Sequence, residues 1–292
     1  MKSNSMLLQR FWQGKRVLIT GASSGLGWAV VQALAPYRVY FGLLARREDR
    51  LSALVNQLRH SGSDFWICAC DVRQRSQVEL VVRDFARHAG GLDVIWANSG
   101  ISLDTSFPKW SWPAVEDVIN TNLWGALYTI RAGLEIMVPQ GHGHVVGIAS
   151  VASMRGLPGR GIYSLTKIGL TYYLESLAGE LPDIRFHIIH PGYVRTPIIE
   201  GNPNVMWVVP AEVAARKMIR AVAKGKSRFI FPWQMKVLYH LVQCLPQPLY
   251  IWLAKKATRI SRPAGVHQEP QPIDSAPNNP SPMKRQDLPP TS

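Results

Sequence analysis

Cysteine is scarce in this chain of 292 residues, and that scarcity excludes several classes of protein. Three cysteines are too few for the disulfide framework of a small secreted domain or for a structural zinc site. Cys68 and Cys70 lie two positions apart in an apolar run, so both are expected to be inert thiols on one face of a strand. The histidine pairs 142/144 and 187/190 have no cysteine or carboxylate to complete a metal site, so no metal is expected.

An extended apolar segment is missing at the start of the chain. The opening residues, MKSNSMLLQRFWQGK, contain nothing that resembles the hydrophobic region of a secretory signal. A reduced, cytoplasmic setting is therefore the expectation.

Acidic residues are absent from one long stretch near the C-terminus. Residues Val213–Gln268 contain eleven Lys or Arg and no Asp or Glu, and they supply most of the net charge of +14. A local positive field of this kind favours an anionic partner, which can be a phosphate group, a nucleic acid or an anionic membrane surface.

Short apolar runs alternate with amphipathic stretches, which predicts an α/β fold. Buried parallel strands read as nearly unbroken apolar runs, and seven such runs predict a Rossmann-type, doubly wound, seven-stranded parallel sheet with helices on both faces. The predicted strands are Val17–Thr20, Val39–Leu44, Phe65–Cys70, Val94–Ala97, Val145–Ala149, Arg185–Ile189 and Arg228–Phe231. The predicted helices are Leu26–Leu34, Asp49–Arg59, Gln77–His88, Val115–Met137, Tyr163–Leu181 and Ala211–Lys224.

Composition divides the chain into four parts. Residues 1–14 form an N-terminal arm, and 15–232 form the sheet domain. Residues 233–260 are apolar and basic, and Pro246 and Pro248 break them into two short helical stretches. Residues 261–292 are rich in Pro, Ser, Asn and Gln and are expected to be disordered, because they cannot bury enough apolar surface.

A glycine-rich turn follows the first predicted strand and opens a helix. The segment RVLITGASSGLGWAVVQAL places Gly21, Gly25 and Gly27 where a dinucleotide pyrophosphate can approach the backbone and the helix N-terminus. Ser23, Ser24 and Leu26 belong to the same turn. The turn therefore predicts a nucleotide-binding site.

The spacing TGxxxGxG resembles that of the short-chain dehydrogenase/reductase family, and the resemblance extends from about Lys15 to Phe231. In that family an Asp after the third strand contacts adenine and an Asn-Ala-Gly sequence closes the adenine side of the cleft. Asp71 and the Asn98–Gly100 segment match these positions, with Ser99 in place of the usual Ala. Farther along, HPGYVRTPI is similar to the family's Pro-Gly turn and carboxamide contact, which implies cofactor-binding roles for Pro191, Gly192 and Thr196.

The end of the second strand predicts which cofactor is bound. NAD sites place an acidic residue about 20 positions after the glycine turn, where it binds the ribose 2′-hydroxyl. Here Arg46 lies nineteen positions after Gly27, with Arg47 beside it. A guanidinium can bind a 2′-phosphate and Ser23 can add a hydroxyl contact, so NADP(H) is expected. In the alternative, Arg46 only begins an exposed helix.

Four residues match the family's catalytic group. Tyr163 and Lys167 are spaced i, i+4, so the ammonium can lie near the phenol and favour phenolate. Ser150 ends the fifth strand thirteen residues before Tyr163, as in the family, whereas the spacing of Ser153 is wrong by three. The match of NxxG selects Asn122 over Asn120 as the helix asparagine that helps to hold a water linked to Lys167. The resemblance implies that Tyr163 is the acid/base, Ser150 holds the substrate oxygen, and Lys167 lowers the tyrosine pKa and bonds the nicotinamide ribose.

Substrate and partners are less well defined by the sequence. The apolar segment after Thr196 and the lipid ketone reductases of the family imply a hydrophobic carbonyl or alcohol substrate. Residues 233–260 are expected to lie at an anionic membrane surface, to cap the cleft or to form a dimer contact, and a homo-oligomer is expected. Nucleic acid is not expected as a partner, because the basic region is interleaved with apolar stretches. The alternative function is a non-catalytic NADP(H) sensor on the same fold.

Overall fold

A computed structural model describes residues 2–201 and 205–260. Its main sheet has seven parallel strands in the order β3-β2-β1-β4-β5-β6-β9, which confirms the predicted fold class. These strands are β1 (Arg16–Thr20), β2 (Tyr40–Ala45), β3 (Asp64–Ala69), β4 (Val94–Ala97), β5 (Gly143–Ile148), β6 (Ile184–Pro191) and β9 (Arg228–Phe231). A separate two-stranded ladder, β7 (Val194–Arg195) with β8 (Val209–Pro210), was not predicted.

Ten α-helices are present in the described residues. They are α1 (Lys2–Trp12), α2 (Gly25–Leu34), α3 (Glu48–Leu58), α4 (Arg75–Ala89), α5 (Trp112–Ile119), α6 (Gly125–Gln140), α7 (Gly161–Glu180), α8 (Ala211–Ala223), α9 (Trp233–Cys244) and α10 (Gln247–Ile260). Four 3-10 turns lie between them, at Ala35–Tyr37, Phe107–Lys109, Val151–Met154 and Pro197–Ile199.

The hydrophobic core has one layer on each side of the sheet. Trp12, Val31, Leu54 and Met218 belong to the layer built from α1, α2, α3 and α8. The opposite layer is built from α4, α6 and α7, and all its central side chains are buried. Burial on both faces explains why the strands could be recognised as apolar runs.

Two predictions about helices were wrong in detail. The single helix expected over Val115–Met137 is two helices, α5 and α6, joined by a π-helical segment at Asn120–Trp124. Such bulges leave no hydrophobic periodicity of their own, because they insert a residue into an otherwise regular helix. The arm at residues 1–14 contains helix α1, whose Trp12 is fully buried and donates from its indole nitrogen to Ile219 O at 3.2 Å.

The expected C-terminal stretches are the helices α9 and α10, which follow the last strand of the sheet. No helix among the residues that the structure describes is both long enough and apolar enough to cross a membrane. The tail expected to be disordered, 261–292, lies outside the described residues.

Candidate active site

A cleft of about 430 Å³ opens at the carboxyl ends of the strands, where the order of the sheet changes direction between β1 and β4. The glycine turn forms its floor. Gly21 and Gly25 have positive φ angles of 68° and 56°, which favour glycine. A Cβ atom on Gly27 would lie 2.4 Å from Gly21 O, so this position admits no side chain. The turn thus allows a ligand to approach the backbone, which suits the pyrophosphate of a dinucleotide.

The N-terminus of α2 follows this turn directly and has no side-chain cap. Ser24 occupies the N-cap position, yet its hydroxyl makes no capping bond. Instead the guanidinium of Arg47 donates to Ser23 Oγ at 3.4 Å and to Ser24 Oγ at 3.3 Å. The first-turn backbone N–H groups of α2 and a nearby cation therefore favour an anion at the same point.

Arg47 is a site residue that the sequence analysis named only as the neighbour of Arg46. Both Arg46 and Arg47 are exposed and line the cleft at the end of β2, but it is Arg47 that contacts the serine hydroxyls of the glycine turn. Its position directly after Arg46 was the available signal. Which of two adjacent side chains turns towards the glycine loop depends on backbone direction, which the sequence alone does not give.

Asp71 follows β3, the strand next to β2, and is already paired. The guanidinium of Arg73 donates to both of its carboxylate oxygens, with the shortest distance 2.7 Å, and also reaches Asp117 at 2.8 Å. Partial burial raises the pKa of Asp71, but hydrogen bonds and charge from Arg73, with a smaller contribution from Arg46, hold it below its ordinary value. Asp71 is therefore a fixed anion in the lining of the cleft, and its contact with adenine stays a prediction.

Asn98 joins the end of β4 to the glycine turn. Its amide donates to Thr20 O at 3.0 Å and to Gly21 O at 3.3 Å, while its backbone N–H donates to Thr20 Oγ1 at 3.1 Å. The side chain thus shapes the wall of the cleft through the backbone of the turn. Gly100 lies farther along the same wall, where a Cβ would be 3.4 Å from Lys167 Nζ.

Asn122 holds this wall from behind. It is fully buried in the π-helical segment, and its amide pairs with both main-chain groups of Ile101, each at 2.8 Å. A longer contact of 3.4 Å joins the amide nitrogen to Thr166 Oγ1. Asn122 therefore positions the loop after β4, and its expected link to a water near Lys167 stays a prediction.

Ser150, Tyr163 and Lys167 meet at the inner end of the cleft. Ser150 follows β5, and its side chain is hydrogen-bonded to Tyr163, which lies in the first turn of α7. Lys167, one turn later, places Nζ 5.6 Å from the centre of the Tyr163 ring and donates to Ile148 O at 2.9 Å. The three side chains, with the Ser hydroxyl beside the phenol, can bind a carbonyl oxygen and transfer a proton to it.

The protonation of this group is governed mainly by burial. Burial raises the pKa of Tyr163 above its ordinary value, although the hydrogen bond with Ser150 and the charge of Arg160 act in the opposite direction. Burial also lowers the pKa of Lys167 to about 8. Desolvation outweighs the hydrogen bond with Ser150 and the charge of Arg160, and the lowering expected from Lys167 stays a prediction. Tyr163 is therefore a proton donor at neutral pH.

Ser153, the rival serine, lies outside the cleft. Its side chain is buried and its hydroxyl donates to Ser150 O at 2.7 Å, so it cannot reach a substrate in the cleft. The structure thus separates the two serines in the manner that the spacing to Tyr163 indicated.

The open side of the cleft is formed by the segment after β6. Pro191 ends β6, and Gly192 donates its N–H to Phe231 O at 2.7 Å. Thr196 lies against Gly25, since a Cβ on that glycine would be 3.3 Å from Thr196 Cβ. This arrangement brings Thr196 against the glycine turn, while Pro191 and Gly192 line the same cleft. The cofactor contacts that the resemblance implies for these three residues stay a prediction.

The predicted site residues converge on this one cleft. All of them line it except Gly27 and Asn122, which support its wall from behind. Those in the lining are Gly21, Ser23, Ser24, Gly25, Leu26, Arg46, Asp71, Asn98, Gly100, Ser150, Tyr163, Lys167, Pro191, Gly192 and Thr196.

Helix α9 forms a further wall, which the sequence left among three alternatives. Met235 and Leu238 line the cleft together with Ile198 and Met206. Arg155 joins the loop after Ser150 to the C-terminal end of α9, because its guanidinium donates to the carbonyl oxygens of residues 242, 243 and 245. The inner face of α9 thus caps the cleft.

Comparison with known proteins agrees with this geometry. A model of the short chain dehydrogenase family matches residues 15–204. An uncharacterized oxidoreductase of Myxococcus xanthus is 33% identical over 245 residues, which cover 83% of this chain and 97% of that protein. The 11-beta-hydroxysteroid dehydrogenase-like protein 4A of Arabidopsis thaliana is 29% identical over 253 residues, covering 81% of this chain and 82% of that one.

A solved structure shows the same likeness in three dimensions. The alcohol dehydrogenase of the archaeon Thermococcus sibiricus, complexed with 5-hydroxy-NADP, superposes with a TM-score of 0.69 at 26% identity. The match covers 75% of this chain and 96% of that one. The family match, the relatives and the parallel sheet together show that the chain belongs to the short-chain dehydrogenase family of oxidoreductases.

Proposed function

We propose that this protein is an NADP(H)-dependent oxidoreductase that interconverts a ketone or aldehyde and an alcohol on a hydrophobic substrate. The observation that carries the proposal is the meeting of Ser150, Tyr163 and Lys167 in one cleft with a glycine turn flanked by Arg46 and Arg47. The first group handles a carbonyl oxygen and its proton. The second supplies a site for a dinucleotide that carries an additional phosphate.

Charge supports NADP(H) over NAD(H). The end of β2 offers two exposed guanidinium groups, and Arg47 already bonds to the serine hydroxyls of the turn. A carboxylate at this point would accept from a ribose 2′-hydroxyl and repel a 2′-phosphate, whereas guanidinium groups do the reverse. Glu48 and Asp49 lie in the first turn of α3, beyond the strand end at which that carboxylate is required.

The mechanism follows from where each side chain lies. The glycine turn and the residues around it would hold the cofactor, whose nicotinamide would supply the hydride in the reduction direction. The hydroxyl of Ser150 donates to the carbonyl oxygen of the substrate, and Tyr163, kept protonated by its raised pKa, gives that oxygen a proton. Lys167, with a pKa near 8, is mostly charged at neutral pH and would bond to the nicotinamide ribose of a cofactor in the cleft that it lines.

A hydrophobic substrate is supported by the lining of the outer cleft. Ile198, Met206, Met235 and Leu238 present apolar surface beside the catalytic group. Such a lining favours a substrate that leaves apolar surface to be buried. One of the relatives carries the name of a hydroxysteroid dehydrogenase, which points in the same direction.

The test uses a panel of ketones and aldehydes graded in chain length and ring number. The rate of NADPH oxidation is measured with each compound, and the rate of NADH oxidation is measured in the same way. We expect turnover to increase with apolar size, and kcat/KM to be higher with NADPH than with NADH. Preference for NADH would contradict the cofactor argument. Tight NADPH binding with no turnover of any compound would instead support the non-catalytic sensor.

We also propose that the protein lies peripherally at an anionic membrane surface through the outer face of its C-terminal helices. Trp233, Val237 and Leu241 are spaced by four residues and half or more exposed, at 72%, 50% and 62%. Trp252 is 57% exposed on α10, and Lys256 lies over its ring. Helices α9 and α10 contain no acidic residue, so their charge complements anionic headgroups.

Co-sedimentation with vesicles of phosphatidylserine and phosphatidylcholine at two salt concentrations tests this surface. Full-length protein should pellet with anionic vesicles at low salt and less at high salt, because salt screens the attraction. The double variant Trp233→Gln, Trp252→Gln should stay in solution. Tyr172→Gln, which changes an exposed aromatic residue of α7, should still pellet. Wild-type protein that remains in the supernatant under all conditions would contradict the proposal.

A homo-oligomer remains part of the proposal. Exposed apolar side chains on α5 and on the segments around it support it, among them Trp110, Trp112 and Trp124, each more than 40% exposed. Light scattering after size exclusion should give a multiple of 32.6 kDa. A monomer at micromolar concentration would contradict it.

A further inference from the structure

The main-chain carbonyl of Ser150 accepts an unusual number of hydrogen bonds. Ser153 donates to it from its backbone N–H at 3.0 Å and from its hydroxyl at 2.7 Å. His190 Nδ1 lies 3.2 Å from the same oxygen. These contacts fix the backbone at the residue whose hydroxyl faces Tyr163.

The cluster extends to helix α9 through Tyr239. The Tyr239 hydroxyl lies 3.3 Å from Ser153 Oγ, and its ring packs edge-on against His190 with the centroids 5.4 Å apart. All three side chains are buried, with Tyr239 only 1% exposed. A residue 76 positions after Tyr163 thus reaches the catalytic loop from the far end of the chain.

The direction of each hydrogen bond follows from counting protons. Ser150 O is only an acceptor, so Ser153 Oγ–H donates to it at 2.7 Å. The Nδ1–H group of His190 points to the same pair of oxygens, Ser153 Oγ at 3.0 Å and Ser150 O at 3.2 Å. The Ser153 hydroxyl has then used its single proton, and it must accept from Tyr239 Oη–H. His190 carries its proton on Nδ1, and its buried Nε2 has no partner among the described residues. The chain of donors runs from Tyr239 through Ser153 to Ser150.

We propose that Tyr239, Ser153 and His190 are positioning residues that hold Ser150 in place for catalysis, so that helix α9 is a working part of the active site. Tyr239 acts through Ser153, because its hydroxyl touches no group in the cleft. Chains of hydrogen bonds in a buried site strengthen one another, so a change at the far end is transmitted to the carbonyl of Ser150. The inference rests on the proposed oxidoreductase activity and adds residues that the family motifs do not contain.

Tyr239→Phe keeps the ring and removes only the donor. We expect kcat to fall about five- to tenfold, which corresponds to the loss of one buried hydrogen bond, while the Kd for NADPH stays unchanged. The matched control is Tyr250→Phe, which removes a hydroxyl of the same hairpin that donates to Gly156 O at 2.7 Å. That variant should keep the wild-type kcat.

A double-mutant cycle separates positioning from simple packing. Because Tyr239 acts through Ser153, the double variant Tyr239→Phe, Ser153→Ala should be no slower than Ser153→Ala alone. Additive losses, a wild-type kcat for Tyr239→Phe, or equal losses for Tyr239→Phe and Tyr250→Phe would overturn the inference.

Wild-type protein that reduces no carbonyl compound would contradict the proposed function rather than this inference. The crystal structure of the Tyr239→Phe variant then decides the matter without turnover. A displacement of Ser150 Oγ relative to the Tyr163 hydroxyl is expected, and an unchanged Ser150 would overturn the inference.

Discussion

Replacing Asn122 by Ala should destabilise the protein and weaken its cofactor site together. The change removes an amide that is fully buried and leaves both the N–H and the C=O of Ile101 without their 2.8 Å partners. Each buried polar group left unsatisfied costs about 1–3 kcal/mol, and two such groups are affected. Because Ile101 is only half-buried and water can reach part of it, we expect the free energy of unfolding to fall by about 2–4 kcal/mol in all.

Thermal unfolding measures this loss. A protein of this size loses about 2–4 °C in Tm per kcal/mol, so the Tm of Asn122→Ala should fall by roughly 4–16 °C. NADPH should also bind more weakly, because Gly100 and Ile101 line the cleft and lose their support. A fluorescence titration of NADPH at a temperature where both proteins are folded gives the Kd.

Asn120 provides the matched control, since it lies two residues earlier in the same π-helical segment and its side chain makes neither bond to Ile101. Asn120→Ala should cost less than about 1 kcal/mol and leave the Kd unchanged. Equal effects of the two substitutions would refute the assignment of a positioning role to Asn122.

Three further predictions follow from the charges of the site. Arg46→Asp should move the preference from NADPH towards NADH, and Arg47→Ala should weaken NADPH binding without favouring NADH. Values of kcat/KM that stay unchanged for both cofactors would contradict the role given to the two arginines at the end of β2. The kcat/KM for reduction should fall as the pH rises through about 8, because Lys167 then loses its charge, and a flat profile to pH 10 would contradict this. Burial lowers the pKa of His190 to about 4, so the unfolded chain takes up a proton at a higher pH than the folded protein does. The free energy of unfolding should therefore fall between pH 6.5 and 4, and this residue should account for about 2 kcal/mol of the fall at pH 5. Urea titrations of wild type and His190→Gln at pH 7.5 and pH 5 measure this fall, and the same pH dependence in both proteins would contradict the prediction.

Local sequence predicted the parts of the molecule whose cause is local. The sheet strands are buried on both faces and therefore read as apolar runs, and Gly21, Gly25 and Gly27 mark a turn whose backbone excludes other residues. Tyr163 and Lys167 are one helical turn apart, so their proximity needed only the helix.

Contacts between distant parts of the chain were out of reach. Tyr239 meets Ser153 across 86 positions, and Arg155 meets the end of α9 across about as many. Neither contact leaves a local pattern. The burial that raises the pKa of Tyr163 likewise depends on the whole cleft and not on the local sequence.

The central claim is that Tyr163 transfers a proton to the substrate oxygen in a site that binds NADPH independently of that hydroxyl. The most direct measurement compares wild type with Tyr163→Phe in two assays, NADPH binding by fluorescence and single-turnover NADPH oxidation with the best ketone of the panel. We predict an unchanged Kd and a rate lower by at least about 10²-fold, which is the scale of general acid catalysis. A Tyr163→Phe variant that oxidises NADPH at close to the wild-type rate would contradict the account.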